Sequence, residues 1–354
     1  MSPWWMNLST HRKEECYMSD TIYRSSLGVY MVGFLEQRRK IGHKANDIEF
    51  ALRTIDQYLV TIGFTGSYIT EEVYDGWWQS TEGQLDSTRY SKASIFIRFL
   101  KYLTLMGVDC YIPRLPRKHA SSRIPYTFSE DEMSRIFSAC DNMRIKERHT
   151  KSAMVAMPAL IRVLYSTAIR TSEALDIRIG NIDFKHHVIK LEYTKNGHQR
   201  YAPINSSLEM VLRQYLSYRD RLPYIELRKP ESHLFVTSQG KTITRHLALR
   251  HMHRILADAG IEHKGNEEGP HLHSLRHTAC IHSMLKCARQ GMDMYCCLPI
   301  LSVFMGHRKV VDTEQYLRLT QEMYPELVKQ DLSVTSSING VVKRAKLVYD
   351  EERS

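Results

Sequence analysis

The sequence predicts a mostly α-helical protein in two domains, with a small antiparallel β-sheet in the C-terminal one. Three observations predict it. Apolar residues recur at helical spacing over most of the 354-residue chain. At 187–204 the period changes to alternation on both sides of Asn196-Gly197, a strong hairpin signal. Between two helical regions, 109–125 (DCYIPRLPRKHASSRIP) breaks the pattern with three prolines and several basic residues. A chain of this length also suits two domains better than one.

Residues 1–20 read as an irregular lead, and 21–108 as a small bundle of four or five helices. The helical stretches are SSLGVYMVGFLEQRR, DIEFALRTIDQYLVTIG and SKASIFIRFLKYLTLMG, separated by turns at Gly63, Gly66 and Gly107. Thr70, followed by Glu71 and Glu72, reads as the cap of a short helix running through Trp78. The linker at 109–125 is either a mechanical tether or a segment whose Arg114, Arg117, Lys118 and Arg123 touch phosphate backbone. The second domain, 126–332, opens on a capping box of Ser129 and Glu132 ahead of MSRIFSAC. A long helix through VAMPALIRVLYSTA follows, then one in TSEALDI that ends near Gly180. HVIKLEY and RYAPI form the hairpin, LEMVLRQYLSYRDRL is helical, and HLFVT reads as a short strand. Helices at 243–258, 272–288, 297–305 and 313–320 complete the domain. The tail at 333–354 is weakly amphipathic.

Composition bounds the function class. Hydrophobic residues make up 43% of the chain, enough for sizeable cores, and the net charge is +10. A basic surface fits nucleic acid, an anionic membrane surface or an acidic partner. The longest apolar run, AMVAMPALI, is too short to span a bilayer, and the N-terminus lacks the apolar core of a signal peptide. The seven cysteines are odd in number and contain no CxxC, so they read as reduced, mostly buried thiols of a cytosolic protein.

The residues that carry chemistry lie in the second domain. They are Arg170 in YSTAIRTSEAL, Lys195 in YTKNGHQR, His273 and Arg276 in HLHSLRHTA, His307 in MGHRK and Tyr316 in DTEQYLRL. Arg170 and Arg276 are planar forks suited to bidentate contact with phosphate oxygens, although most single arginines are surface or ion-pair residues. His273 and Arg276, three apart, share one helix face. His271, His273 and His277 could suggest zinc, but there is no HExxH and the HxxR context points to phosphate. Lys195 sits on the hairpin turn, where by itself it reads as an ordinary solvated lysine.

In this order the motifs resemble the tyrosine recombinases, the phage integrase family. YSTAIRTSEAL resembles that family's box around its first arginine, HSLRH its HxLRH box, and MGHRKVVDTEQYLRL the segment in which the tyrosine lies nine positions after the histidine. The resemblance covers roughly 126–325. One departure is Ala168, where the family usually has glycine two residues before the arginine. A close helix approach there tolerates alanine, whereas a positive φ would disfavour it.

The resemblance implies roles. Tyr316 attacks a DNA phosphodiester, giving a 3′-phosphotyrosyl enzyme and a free 5′-hydroxyl. Arg170 and Arg276 stabilise the phosphorane, which carries more negative charge than the ground state. His273 hydrogen-bonds the scissile phosphate and helps manage the nucleophile's proton, and His307 donates to a non-bridging oxygen. Lys195 protonates the leaving 5′-oxygen. Glu173 supports Arg170 or a neighbouring histidine, His277 packs or supports, and Arg200 and Arg245 join the four linker cations as candidate DNA contacts. Tyr316, after Asp312-Thr313 as a helix cap, is expected in the first turn of its helix.

The expected protein is therefore a site-specific DNA recombinase or integrase, including the transposase of a mobile element. Its helical domain and catalytic domain would close a C-shaped clamp on double-stranded DNA. Expected too are a homo-tetramer on two paired sites, accessory DNA-binding proteins, no cofactor or metal, no membrane, and a place in the bacterial cytoplasm on the nucleoid. The alternatives are a type IB topoisomerase-like enzyme and a non-catalytic DNA-binding regulator of the same fold.

Overall fold

The computed structural model describes residues 23–42, 45–117, 125–143, 152–192, 199–263 and 269–324. Lys118, Arg123, Lys195, the Asn196-Gly197 turn, the lead at 1–20 and the tail at 333–354 lie outside the described residues. The chain divides into two compact units, Met1–Arg123 and Ile124–Ser354.

The first unit has four described helices: α1 (Gly28–Lys40), α2 (Asn46–Thr61), α3 (Glu71–Ser80) and α4 (Asp86–Leu105). Thr70 caps α3, its side chain accepting from the Val73 N–H. Buried Asp56 on α2 accepts from the backbone N–H groups of Arg24 and Ser25, both at 2.9 Å, and so ties down the entry to α1. Tyr74 and Trp77 of α3 pack on Phe96 of α4. The first residues of the linker stay with this unit: the Tyr111 N–H donates to the Ile69 carbonyl, and Arg114 and Arg117 are exposed.

The second unit comprises α5 (Glu130–Asp141), α6 (Met157–Thr167), α7 (Thr171–Leu175), α8 (Ser206–Arg219), α9 (Arg245–Asp258), α10 (Leu272–Arg289), α11 (Met294–Met305) and α12 (Val311–Met323). The Ser129–Glu132 capping box opens α5, and Pro158 sits in the first turn of α6, where its missing N–H costs nothing. Among the described residues the sheet has three antiparallel strands in the order β1 (Ile182–Asp183), β2 (Val188–Leu191) and β3 (Arg200–Pro203), with Ile189 opposite Ala202 and Leu191 opposite Arg200. β1 has two residues, too few for alternation to signal it.

HLFVT corrects an expectation, because it is not a strand. Only single bridges, Arg178 to His233 and Val236 to Thr242, pair it. Its other backbone groups are satisfied by side chains of α8: Arg219 donates to the carbonyls of His233 and Leu234, and the Tyr215 hydroxyl accepts from the Val236 N–H. A buried segment needs partners for its backbone, and here they need not be strands. The described cysteines are free, as expected, and half of them are buried. Among the described residues Cys140, Cys280 and Cys297 are buried, Cys110 and Cys287 half-buried and Cys296 exposed, all as free thiols.

Helix α10 is the spine of this unit and packs against α6, α11 and α12. Thr278 on its buried face accepts from the Phe128 N–H at 2.9 Å, anchoring the start of the unit to it.

Candidate active site

The α6–α7 junction sets the first cation. Ala168 ends α6 in the left-handed conformation (φ 49°, ψ 22°) and is fully buried. Its carbonyl thereby turns to accept from Nη1 of Arg276 at 2.5 Å, and the Met305 carbonyl at the end of α11 accepts from Nη2 at 2.7 Å. Arg276 is thus held by the C-terminal ends of two helices, where carbonyls are unsatisfied and the dipole favours a cation. Only 2% exposed, it has its pKa pulled down to about 10, by burial first and then by Arg170.

Arg170 caps the short helix α7. Its backbone N–H donates to Oε2 of Glu173 at 2.8 Å and its Nη1 to Oε1 at 2.9 Å. The Glu173 side chain is 1% exposed and also accepts from Nη2 of Arg200 at 2.8 Å. The sequence suggested one partner for Glu173, and the structure supplies two. Arg200, expected among the DNA contacts, directs Nη2 to Glu173 and Nη1 to the Phe304 carbonyl, and burial lowers its pKa. Its stem crosses Gly306 so closely that a Cβ there would collide with Nε, and Gly306 also has φ 65°. No sequence signal linked Arg200 to Gly306, because 106 positions separate them and only the fold joins them.

The imidazoles form a row along α10. The His271 and His273 rings lie 6.3 Å apart, those of His273 and His277 4.7 Å, and His277 and Tyr316 5.5 Å. On its other side Tyr316 is nearly parallel to His307, at 6.2 Å. His271 precedes α10 and is bound to Ser274 through Nδ1. Nδ1 of His307 meets the Thr313 hydroxyl at 2.8 Å. Thr313 is therefore not the cap of α12. That helix begins at Val311, which places Tyr316 in its second turn rather than its first. His277, expected to pack or to support the site, reaches the Tyr316 hydroxyl with Nδ1 at 2.8 Å.

The electrostatics follow from burial among cations. The pKa of His273 is lowered to about 4 by burial, then by Arg276, His271, Arg170 and Arg245. His307 is lowered to about 4 by burial and then by Arg276 and Arg170. His277 is lowered to about 3 by burial and then by the neighbouring histidines and Arg276. Tyr316, 2% exposed, is pushed well above the usual phenol value by burial, against the opposing pull of Arg276 and Arg170. Arg245, the first residue of α9, is exposed at the rim and adds to the positive field on His273. The structure thus brings together Arg170, Glu173, Arg200, His273, Arg276, His277, His307 and Tyr316. Arg114 and Arg117 belong to the other unit.

The model of the phage integrase family matches residues 127–323, more than half the chain. The chain belongs to the phage integrase family. It is a tyrosine recombinase, a DNA strand transferase of the recombinase/integrase class. Relatives include y4rB of Sinorhizobium fredii, named as an integrase/recombinase, 26% identical over 84% of this chain and 94% of that one. Tyrosine recombinase XerC of Bacillus subtilis is 26% identical over 67% of this chain and 71% of its own. The fold resembles XerH site-specific recombinase bound to a palindromic difH substrate in a post-cleavage complex. The TM-score there is 0.62 at 17% identity, covering 86% of this chain and 84% of that one. It also resembles the Tn1549 transposon integrase in complex with a circular intermediate DNA, with TM-score 0.58 at 14% identity over 81% and 94% of the two chains. Among the described residues, no helix of this recombinase is long and apolar enough to cross a membrane.

Proposed function

We propose that this recombinase cuts and rejoins double-stranded DNA through a phosphotyrosyl bond to Tyr316, with no metal or nucleotide triphosphate consumed. The observation that carries the reading is the gathering of Arg170, Arg276, His273 and His307 around one buried tyrosine, in the region matched by the family. As Oη attacks phosphorus, the equatorial oxygens gain charge. Two guanidinium groups already held by Glu173 and by helix-end carbonyls meet that charge without reorganising. Buried imidazoles kept neutral can donate hydrogen bonds to the same oxygens. One phosphoester replaces another, so the step needs no external energy source. Lys195 protonates the departing 5′-oxygen, Arg245 and the linker cations Arg114, Arg117, Lys118 and Arg123 contact phosphates, and Arg200 positions Glu173. The assembly is a homo-tetramer on two paired sites at the bacterial nucleoid, with accessory DNA-binding proteins.

The test is covalent trapping on a nicked suicide duplex carrying the recombinase's own element ends. The wild-type protein should form an adduct in EDTA without ATP. Tyr316→Phe should bind the duplex with unchanged affinity and form none. An adduct of undiminished yield with Tyr316→Phe refutes the assignment, and strict dependence on added divalent cation refutes metal independence. Strand exchange between two labelled duplexes separates recombination from relaxation of a single duplex.

A further inference from the structure

The proton of the attacking phenol needs an acceptor, and the site contains three imidazoles that could serve. Geometry separates them. Among the described residues, the hydrogen bond found at the Tyr316 hydroxyl is to Nδ1 of His277, at 2.8 Å. The His307 ring is nearly parallel to the phenol ring at 6.2 Å and directs its Nδ1 to Thr313. His273 contacts His277 edge to face, one turn earlier on α10. A phenol with its hydroxyl already on an imidazole nitrogen has the heavy-atom geometry of a general-base pair.

We propose that His277 is the base that removes the proton of Tyr316 during strand cleavage and returns it during rejoining. The inference rests on the reading of Tyr316 as nucleophile. In the forward step the Oη–P bond forms, the P–O5′ bond breaks, and the hydroxyl proton passes to Nδ1 of His277. The 5′-oxygen leaves with a separate proton, from Lys195. In reverse the 5′-hydroxyl gives its proton back to Lys195 as its oxygen attacks phosphorus, the P–Oη bond breaks, and the His277 imidazolium reprotonates the departing phenolate. Nδ1 accepts only if the proton of the neutral ring is on Nε2, so the hydrogen bond to Tyr316 also sets the tautomer.

The surroundings make this transfer conditional on DNA. Facing the pair are His273, Arg276 and Cys280 from α10, His271 just before it, His307 from the segment between α11 and α12, and Arg170 from the start of α7. Before DNA arrives burial, and then the neighbouring imidazoles and Arg276, hold the imidazole neutral down to about 3, and burial keeps the phenol protonated. The proton therefore stays on oxygen. A phosphodiester between Arg170 and Arg276 adds negative charge beside His277, which favours the imidazolium. Attack on phosphorus consumes the phenolate as it forms, so neither ion needs to exist alone. A recombinase built this way carries no reactive phenolate until a phosphate is seated.

The experiment is single-turnover adduct formation on the nicked suicide duplex from about pH 5.5 to 9.5, with His277→Asn and His277→Ala, each carrying Tyr316 or a trifluorotyrosine there. Asparagine places an oxygen near the position of Nδ1, so it keeps a hydrogen-bond acceptor but cannot take the proton. His277→Asn should slow cleavage about 10²–10⁴-fold near pH 7 and recover roughly tenfold per pH unit as hydroxide replaces the base. The fluorinated phenol, acidic enough to ionise unaided, should restore most of the lost rate in both variants. Duplex affinity and the circular dichroism spectrum should match the wild type, which separates loss of the base from loss of the fold. Cleavage by His277→Asn within about threefold of wild type at all pH values overturns the proposal. So does an equal deficit with the fluorinated phenol and no pH slope, which would make His277 a positioning residue. Neither result touches the nucleophile reading, which fails only if Tyr316→Phe forms the adduct.

Discussion

Glu173 holds two guanidinium groups with one carboxylate, and that sets what a single substitution does. The Arg170 and Arg200 side chains are 19% and 15% exposed, and Glu173 is 1% exposed. Removing one member of such a cluster leaves charges buried without compensation, which typically costs about 3–5 kcal/mol. Glu173→Ala should therefore reduce hydrogen-exchange protection along α10 and also slow cleavage, since Arg170 loses its orienting bond. A loss of less than about 1 kcal/mol would show that Arg170 and Arg200 find water instead. Arg200→Lys tests the same point from the other side. A lysine cannot span Glu173 and the Phe304 carbonyl in two directions, so it should lower the cleavage rate while leaving DNA affinity nearly unchanged.

At the scale of elements, the α6–α7 junction is where the chain departs from its family's usual glycine. Ala168 takes the left-handed conformation at φ 49° despite its methyl group. Three terms of similar size compete. Left-handed backbone costs an alanine about 1–2 kcal/mol. Burying the methyl returns about 0.8 kcal/mol. The smaller unfolded-state entropy of alanine relative to glycine returns about 0.4–1 kcal/mol. They nearly cancel, so Ala168→Gly should leave the urea midpoint almost unchanged. Ala168→Val keeps the strain and adds crowding against Arg276's anchoring carbonyl, so it should destabilise by more than about 2 kcal/mol. A clearly stabilised glycine variant would mean that the methyl contributes little packing. The same reasoning explains why Gly306 is glycine: the turn after α11 needs positive φ and Arg200 occupies the space of a Cβ.

At the scale of the molecule, the site's neutral histidines link stability to acidity. His273 and His307 titrate near pH 4 and His277 near 3 in the folded protein, against about 6.5 in the unfolded chain. Their folded values are depressed, so below pH 6.5 the unfolded state binds more protons than the native one. The stability they contribute is complete above about pH 6.5 and is lost as pH falls toward 4. Urea unfolding followed by circular dichroism should show a midpoint that drops over that window, and His273→Gln should flatten part of the drop. A midpoint constant from pH 7 to 4.5 would contradict the burial that shapes the site.

The sequence alone determined what depends on local pattern. Helical periodicity located α2, α4, α8 and α10, Thr70 and Ser129 marked two helix starts by their own capping chemistry, and the alternation around Asn196-Gly197 announced β2 and β3. Motif order named the family because its arginines, histidines and tyrosine keep fixed company with their neighbours. Contacts between distant segments were not legible. HLFVT looked like a strand because its apolar run matches one, yet α8 satisfies its backbone. The bonds of Arg200 to Glu173 and Phe304 were hidden because an arginine carries no local mark of burial. Thr313 looked like a cap, but it is held by His307. His277 read as a packing or supporting residue because nothing in HSLRH tells which imidazole will face a tyrosine 39 positions later. Hydrogen bonds act over about 3 Å, and only the tertiary fold brings those atoms within that distance.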